Sequence, residues 1–380
     1  MKLKELCKIK HGFAFKGKDI IKNYSTKYVL VTPGNFNIGG GFKKEKCKYF
    51  SENGNIPKDY ILRENDLIVT MTDLSVKSDT LGYSALIPKD NNIYLHNQRI
   101  GLVYDIDESK VLKDYLYWFM RTKKYQQEVV ASQSGTAIHH TSPARILNIE
   151  IDLPSIDNQR KIVKILSDVE HKIKNNNDTN NNLYEISKQL LLKYLDENKS
   201  SDEINISKFL NIFTGKKNAN ETSPTGKYKF FSCAPESLLS DTYLCDSAAI
   251  IVAGNGAYTG RTRFYDGKFE LYQRTYGLTL KDGFEKNNIY GLYVFMKTIF
   301  ESDKMGGTHG SAIPYIVLSD LTDYKLKYNK VEFDRFSNLV SGNIKMIQEN
   351  EKSNEKLSEL RDTLLPKLMN GEIDLDNIEI

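Results

Sequence analysis

The sequence predicts a mixed α/β (α+β) protein written twice, in the order domain, helix, domain, helix. Three observations carry this. Short apolar runs bounded by polar turns sit among helical patterns in each half, which is the signature of mixed strand and helix content. Segments recur in order at an offset of roughly 175 residues. Each half closes on a stretch whose apolar residues stand three or four apart for longer than an ordinary domain helix.

The chain has 380 residues, more than one small core needs, so two cores with a connection are expected. It is 40% hydrophobic and 27% charged, and no apolar run approaches the roughly 18 residues that cross a bilayer. No membrane contact is expected. Met1 to Leu6 enter directly into a charged, amphipathic pattern without the apolar stretch of a secretory signal, which places the chain in the cytoplasm as an expectation. Cys7, Cys47, Cys233 and Cys245 lie far apart with no metal-ligand spacing, and are read as reduced thiols. The net charge of +4 is small. From Lys8 to Lys48, however, Lys8, Lys10, Lys16, Lys18, Lys22, Lys27, Lys43, Lys44, Lys46 and Lys48 are opposed only by Asp19 and Glu45, a pattern that makes either a solvated lysine face or a basic binding face.

The duplication is read from short segments. Asn97-Gln98-Arg99-Ile100-Gly101-Leu102 is echoed by Tyr272-Gln273-Arg274-Thr275-Tyr276-Gly277-Leu278. Downstream, Tyr117-Trp118-Phe119-Met120-Arg121 answers Tyr293-Val294-Phe295-Met296-Lys297, and Gly135-Thr136 answers Gly307-Thr308. Upstream, the runs Asp66 to Thr72 and Ala248 to Gly254 read as buried strands that open into polar loops. Between Asp157 and Leu195, Ile162, Ile165, Val169, Ile173, Leu183, Ile186 and Leu190 keep one helical face, a helix of about 39 residues and roughly 58 Å. Asn175 to Asn182 lacks apolar residues and good helix formers, so a break or loop is expected there unless a partner helix holds it straight. In the second half Phe336, Leu339, Val340, Ile344, Ile347, Leu357, Leu360, Leu364, Leu365 and Leu368 repeat the face, with Pro366 and Gly371 read as stop signals.

Two similar heads held apart by helices suit a ligand that repeats along an axis, and duplex DNA is such a ligand. The heads share a frame but differ at loops, for example Thr72-Asp73-Leu74-Ser75 against Gly254 to Gly260, so each head is expected to read a different half-site. Candidate contacts in the first head are Lys16, Lys18, Lys43, Lys44, Thr72, Ser75, Lys77, Gln98, Arg99, Thr136, His139 and His140. In the second they are Lys216, Lys217, Asn255, Tyr258, Thr259, Arg261, Arg263, Gln273, Arg274, Thr308, His309 and Ser311. Arginine, asparagine and glutamine among these suit guanine and adenine edges, and the cations suit phosphates. Gln98-Arg99 and Gln273-Arg274 admit two readings of equal weight, a DNA contact or a pair bracing the sheet.

The segments Gly135 to Gln159 and Leu360 to Ile373 resemble the specificity subunits of type I restriction-modification systems, over essentially the whole chain, and the line Ile151-Asp152-Leu153-Pro154-Ser155-Ile156-Asp157-Asn158-Gln159-Arg160-Lys161-Ile162 resembles the entry into that family's first helical spacer. The resemblance implies two target recognition domains with curved mixed sheets, joined by two long antiparallel coiled-coil helices. On this pattern residues 1–152 form the first recognition domain, 153–198 the first helical spacer, 199–330 the second domain, 331–371 the second spacer and 372–380 a tail. It further implies an asymmetric bipartite DNA target, two methyltransferase subunits docked on the helices, and restriction/translocase subunits beside them. S-adenosylmethionine, ATP and Mg are expected on those partners and no cofactor on this chain, which would be nucleoid-associated when DNA-bound. The second junction, Tyr324 to Phe333, lacks counterparts of Pro154 and Gln159, so it is mapped less securely.

Other motifs carry less. Gly12 to Lys18 fits the start of a phosphate-binding loop, but Asp19 stands where Ser or Thr would meet magnesium and no long apolar strand precedes it. Gly254-Asn255-Gly256 with Gly260 lacks the spacing of a dinucleotide site. His139-His140 has no Cys or carboxylate at ligand spacing and is read as a polar loop. No two prolines are adjacent, so the Asn-Pro-Pro-Tyr or Asp-Pro-Pro-Tyr tetrapeptide of aminomethyltransferases is absent, and no nuclease carboxylate cluster stands out; no catalytic residue is assigned. The competing reading is a coiled-coil scaffold or regulator of a DNA-defence system without sequence-specific DNA binding.

Overall fold

The structure, a computed structural model, describes residues 1–21, 26–44, 47–73, 75, 78–135, 139–301 and 314–375. Lys22, Lys46, Lys77, Thr136, Gly307, Thr308, His309 and Ser311, singled out above, lie outside the described residues. Among the described residues the helices are α1 (Lys113–Phe119), α2 (Lys123–Ala131), α3 (Pro143–Leu147), α4 (Ile156–Glu197), α5 (Asn288–Glu301), α6 (Leu318–Thr322) and α7 (Lys330–Met369).

Two compact units divide the chain, Met1–His171 with Leu357–Ile380, and Lys172–Lys356. The division falls inside both α4 and α7. Each unit is therefore compact together with a stretch of both long helices. The reason is burial. Ile162 and Leu166 of α4 and Leu365 and Leu368 of α7 belong to the same core as Leu6, Tyr115 and Trp118, while Leu191, Tyr194, Phe333, Phe336, Val340 and Ile344 share a core with Phe209, Ile250 and Leu292. Apolar faces at helical spacing are spent on the domain as much as on the helix pair.

The first unit holds an antiparallel sheet in the order Lys8–His11, Ile100–Tyr104, Leu67–Thr70, Ser84–Leu86, and a mixed sheet in the order Ile20–Ile21, Lys48–Phe50, Tyr28–Val31, Ile93–His96, Ile61–Leu62. In the second sheet Tyr28–Val31 runs parallel to Ile93–His96. The second unit holds one mixed sheet of six strands, in the order Leu210–Thr214, Thr275–Leu280, Cys245–Ala253, Thr262–Leu271, Tyr228–Phe231, Leu238–Ser240. Here Tyr228–Phe231 is parallel to Thr262–Leu271. The two plans are one plan. The single strand Thr262–Leu271 does what Ser84–Leu86 and Ile93–His96 do separately, pairing antiparallel on one side and parallel on the other. In the first unit Pro88 and the polar run to Asn92 interrupt the path, since proline cannot continue a central ladder. In the second, Gly267 takes φ +135°, and the strand runs through it with its register unbroken.

Helix α4 is continuous over 42 residues, so the break expected at Asn175 to Asn182 is not there. Its asparagines face asparagines of α7: Asn176 Nδ2 donates to Asn354 Oδ1 (2.8 Å), Asn354 Nδ2 to Asn177 Oδ1 (2.9 Å) and Asn350 Nδ2 to Asn180 Oδ1 (2.8 Å). Asn343 Nδ2 continues the series to Ser187 Oγ (3.1 Å). Rising numbers on one helix meet falling numbers on the other, so within this unit the two segments are antiparallel. Poor local propensity is offset by amide pairing across the seam. The C-terminal stop of α7 also differs. Pro366 lies inside the helix, which runs on because Leu368 is buried in the first unit's core. The turn comes at Gly371, whose φ of +69° a left-handed cap requires.

Candidate nucleic-acid interface

The Gln-Arg segments occupy one and the same turn in both units. In the first, Ile100 N–H closes the turn on Asn97 O (2.9 Å), Gln98 N–H donates to Phe13 O (2.9 Å) and Arg99 O accepts from Met71 N–H (2.9 Å). In the second, Thr275 N–H closes on Tyr272 O (2.8 Å), Gln273 N–H donates to Lys217 O (2.9 Å) and Arg274 O accepts from Gly254 N–H (2.9 Å). A glycine passes beneath each turn: a Cβ on Gly12 would come within 2.1 Å of Asn97 O, and one on Gly215 within 2.0 Å of Leu271 O. Gly12 thus serves a close backbone crossing and not a phosphate loop. Both turns are braced through the main chain, which leaves the side chains outward: Gln98, Gln273 and Arg274 are exposed and Arg99 half-buried.

Around these turns the units diverge. In the first, Asp73 is buried and anchors the loop that follows it. Desolvation pushes its carboxyl up, but hydrogen bonds from Ser75 N–H (2.6 Å), Thr80 N–H (2.5 Å) and the Thr80 hydroxyl (2.7 Å) outweigh this and hold it below the usual carboxylate range. His139 and His140 pair in antiparallel register with Asp73 and Thr72, and the Thr72 hydroxyl and His140 Nδ1 share a hydrogen bond of 3.0 Å. Thr141 N–H reaches Met71 O, so Thr72, Ser75, Arg99, Gln98 and the histidine pair gather at one place.

In the second unit the corresponding loop is Gly254 to Gly260. Cys233 Sγ lies 3.1 Å from Asn255 Oδ1 and 3.3 Å from Arg274 O, tying three segments together. Arg261 stacks over Tyr258 at 4.6 Å. Arg263 lies over Phe231 and donates to Ala234 O; burial and the neighbouring Arg261 lower its pKa from the ordinary value. The Thr259 hydroxyl donates to Gly256 O and Pro314 O. Lys217 Nζ is bound to Ser240 Oγ (2.9 Å), Thr242 Oγ1 (2.6 Å) and Glu270 (3.5 Å), a bracing role for that ammonium, whereas its neighbour Lys216 is exposed. Among the remaining candidates, Lys16 and Lys18 are exposed beside the mixed sheet, Lys43 is half-buried, and Lys44 pairs with Asp90 at 2.8 Å. No hydrogen bond described joins these four to the Gln98-Arg99 turn.

Three residues of this architecture escaped the sequence reading. Cys233 gives no signal by itself. Arg121 was visible only as part of the duplicated Tyr-x-x-x-basic segment, yet it is buried and holds Gly39 O (3.0 Å), the Tyr117 hydroxyl and Glu170 Oε1 (2.7 Å) while stacking over Trp118 at 4.4 Å. Glu170 of α4 also accepts from the Tyr117 hydroxyl (3.0 Å). A cavity of about 1030 Å³ adjoins this cluster, lined among others by Phe119, Lys123, Arg361, Leu365 and Met369, and none of the candidate DNA contacts lines it. Among the described residues no cluster of three or more His, Cys, Asp or Glu is placed to hold a metal ion, and no helix is long and apolar enough to cross a membrane.

One frame used twice, with an identical turn and unlike loops in each copy, defines a duplicated α+β protein whose variable surface is concentrated beside a constant one. Residues 1–185 match the family model described as the type I restriction modification DNA specificity domain. The chain is 32% identical over 123 residues to the type I restriction enzyme EcoDI specificity subunit of Escherichia coli, which covers 32% of this chain and 26% of that protein. The chain therefore spans about a quarter of the length of that relative. Over 317 residues it is 21% identical to the type I restriction enzyme MjaIX specificity subunit of Methanocaldococcus jannaschii, covering 72% of each. Its fold matches the crystal structure of the type I restriction-modification system S subunit from M. genitalium with a TM-score of 0.56 at 18% identity, over 97% of this chain and 95% of that one.

Proposed function

We propose that this chain is the DNA sequence-recognition subunit of a type I restriction-modification complex. The observation that carries the reading is the contrast between the shared Gln-Arg turns and the unlike loops beside them, Thr72 to Thr80 in one unit and Gly254 to Gly260 in the other. Base edges are read by side chains held in place by a rigid frame, so two half-sites of different sequence call for two loops of different chemistry on one frame. A scaffold without DNA specificity gives no reason for that division.

In this reading the chain does no chemistry. Two methyltransferase subunits dock on α4 and α7 and bring S-adenosylmethionine to the DNA, restriction/translocase subunits bring ATP and Mg, and this chain contributes the address alone. Base methylation on those partners requires the target adenine to leave the stack, and what this chain supplies is the grip that fixes where that happens. The complex works on chromosomal and invading DNA in the cytoplasm.

Single-molecule methylation mapping of genomic DNA, with the gene intact and with it deleted, tests this. Loss of a split, asymmetric methyladenine motif on deletion is expected; an expressed complex that leaves the methylome unchanged on deletion would overturn it.

A further inference from the structure

We propose that Arg99 and Arg274 are paired phosphate clamps: each grips the DNA backbone at its own half-site in the same way, leaving base discrimination to the loops beside it. The inference rests on the DNA-recognition reading above and adds a division of labour to it.

Two residues that stand at the same backbone position in both units cannot distinguish half-sites that differ. What the half-sites share is their phosphates. The equivalence here is one of geometry as well as sequence, since the three main-chain hydrogen bonds that hold the turn are matched one for one and to within about a tenth of an ångström. Because the bracing is done by Arg99 O and Arg274 O, neither guanidinium is needed for it. Among the described residues neither guanidinium makes a hydrogen bond or an ion pair, in contrast to Arg121, held by Glu170 and Tyr117, and Arg263, held by Ala234 O.

A rigid turn with a free guanidinium is a poor structural brace and a good anion contact. The backbone is fixed before DNA arrives, so little ordering is lost on binding, and the planar fork matches two phosphate oxygens. The Asn97 side chain adds to the fixing in the first unit by accepting from Arg99 N–H (3.0 Å), and in the second Gln273 Nε2 is tied to Asn218 Oδ1 (2.9 Å). Among the described residues both arginine side chains are left unengaged, and in the first turn the Gln98 side chain is unengaged as well. Base readers, by contrast, are expected where the units differ, at Thr72, Ser75 and His140 on one side and Asn255, Tyr258 and Arg261 on the other.

The test uses the full chain assembled with its methyltransferase subunits and a duplex carrying the motif found by methylation mapping. Affinity is measured over a salt series for the wild type, Arg99→Ala, Arg274→Ala, the double variant, and Arg99→Lys with Arg274→Lys, each checked for an unchanged thermal midpoint. A clamp releases about 0.9 counterion per phosphate. Each alanine is therefore expected to make the slope of log K against log salt shallower by about 0.9, the double variant by about twice that, on cognate and scrambled duplexes alike. The lysine pair should restore the slope, and the methylated motif should be unchanged throughout. Relaxation of the motif at one base of a half-site in either single variant would assign that arginine to base readout and overturn the proposal, as would an unaltered salt slope. Failure of the wild-type complex to bind duplex DNA would instead remove the recognition reading on which the clamp depends.

Discussion

Asn350 on α7 donates its side-chain amide to Asn180 Oδ1 on α4 at 2.8 Å, one rung of a ladder that includes Asn176 with Asn354. Amide pairs at a helix seam fix register at a cost in stability relative to leucine. Replacing Asn180 and Asn350 together by Leu is expected to raise the thermal midpoint, whereas Asn176→Ala alone, which removes a buried amide and leaves the half-buried Asn354 Oδ1 without its donor, should lower stability by about 1–3 kcal/mol. Calorimetry on the three chains decides, and a lower midpoint for the double leucine chain would mean that the amides are worth more than the apolar contacts replacing them.

His96 links stability to pH. It is fully buried, donates from Nε2 to Ile100 O at 2.8 Å, and burial pushes its pKa down to about 4. The folded ring stays neutral where an unfolded one, with a pKa near 6.5, takes up a proton. The first unit should therefore be at full strength above about pH 6.5 and weaken progressively as pH falls toward 4, by an amount on the order of 3 kcal/mol. Urea unfolding between pH 7 and 4 measures this, and His96→Gln should flatten the dependence over that window.

Gly40 and Arg121 are matched by shape. Gly40 takes φ +86°, and a Cβ there would lie 2.5 Å from Arg121 Cγ. Gly40→Ala is expected to cost about 1–3 kcal/mol through strain and displacement of the arginine. Arg121→Lys keeps the charge but loses the fork that reaches Gly39 O and Glu170 together, so it should destabilise by a similar amount. Denaturant midpoints for the two variants and for their combination test the coupling, with costs that add fully counting against it.

The junctions between domain and long helix use different chemistry at equivalent places. Gln159 is buried, accepts from Leu112 N–H (2.9 Å) and donates to Lys110 O (2.9 Å) and Pro154 O (3.0 Å). In the second unit Asn288 Nδ2 donates to Asp334 Oδ1 at 2.9 Å, which supplies what the second junction lacks in glutamine. Gln159→Leu should cost about 2–5 kcal/mol by orphaning several buried groups, and hydrogen exchange at the Leu112 amide should rise with it. An unchanged exchange rate there would place the loss elsewhere.

Much of the plan is legible in the sequence because it repeats. The Gln-Arg segments, the Tyr117 and Tyr293 segments and the long apolar faces recur in order, and at the Gln-Arg turn the recurrence marks matched main-chain hydrogen bonds. What stays hidden depends on partners distant in the chain. The asparagines at 175–182 read as a break because helix propensity is local, while the amides that satisfy them lie on α7. Pro366 reads as a stop because nothing nearby announces that Leu368 is needed in a core. The partners of Lys217, namely Ser240, Thr242 and Glu270, lie 23 or more residues along the chain and leave no local signal. Loops are harder still, since which of Asn255, Tyr258 and Arg261 points outward follows from main-chain turns that composition does not encode.

Gly101 and Gly277, which align the halves in sequence, do not occupy the same place. Ile100 lies opposite Thr70 and Thr275 opposite Ala253, so Gly101 corresponds in the backbone to Tyr276 and not to Gly277. For protein engineering this fixes where a splice can be made. A graft of one head onto the other joined by matching glycine to glycine would slide the strand by one residue and turn every side chain beyond it to the opposite face, whereas a joint made at the arginine of the turn would carry the inward and outward faces across intact.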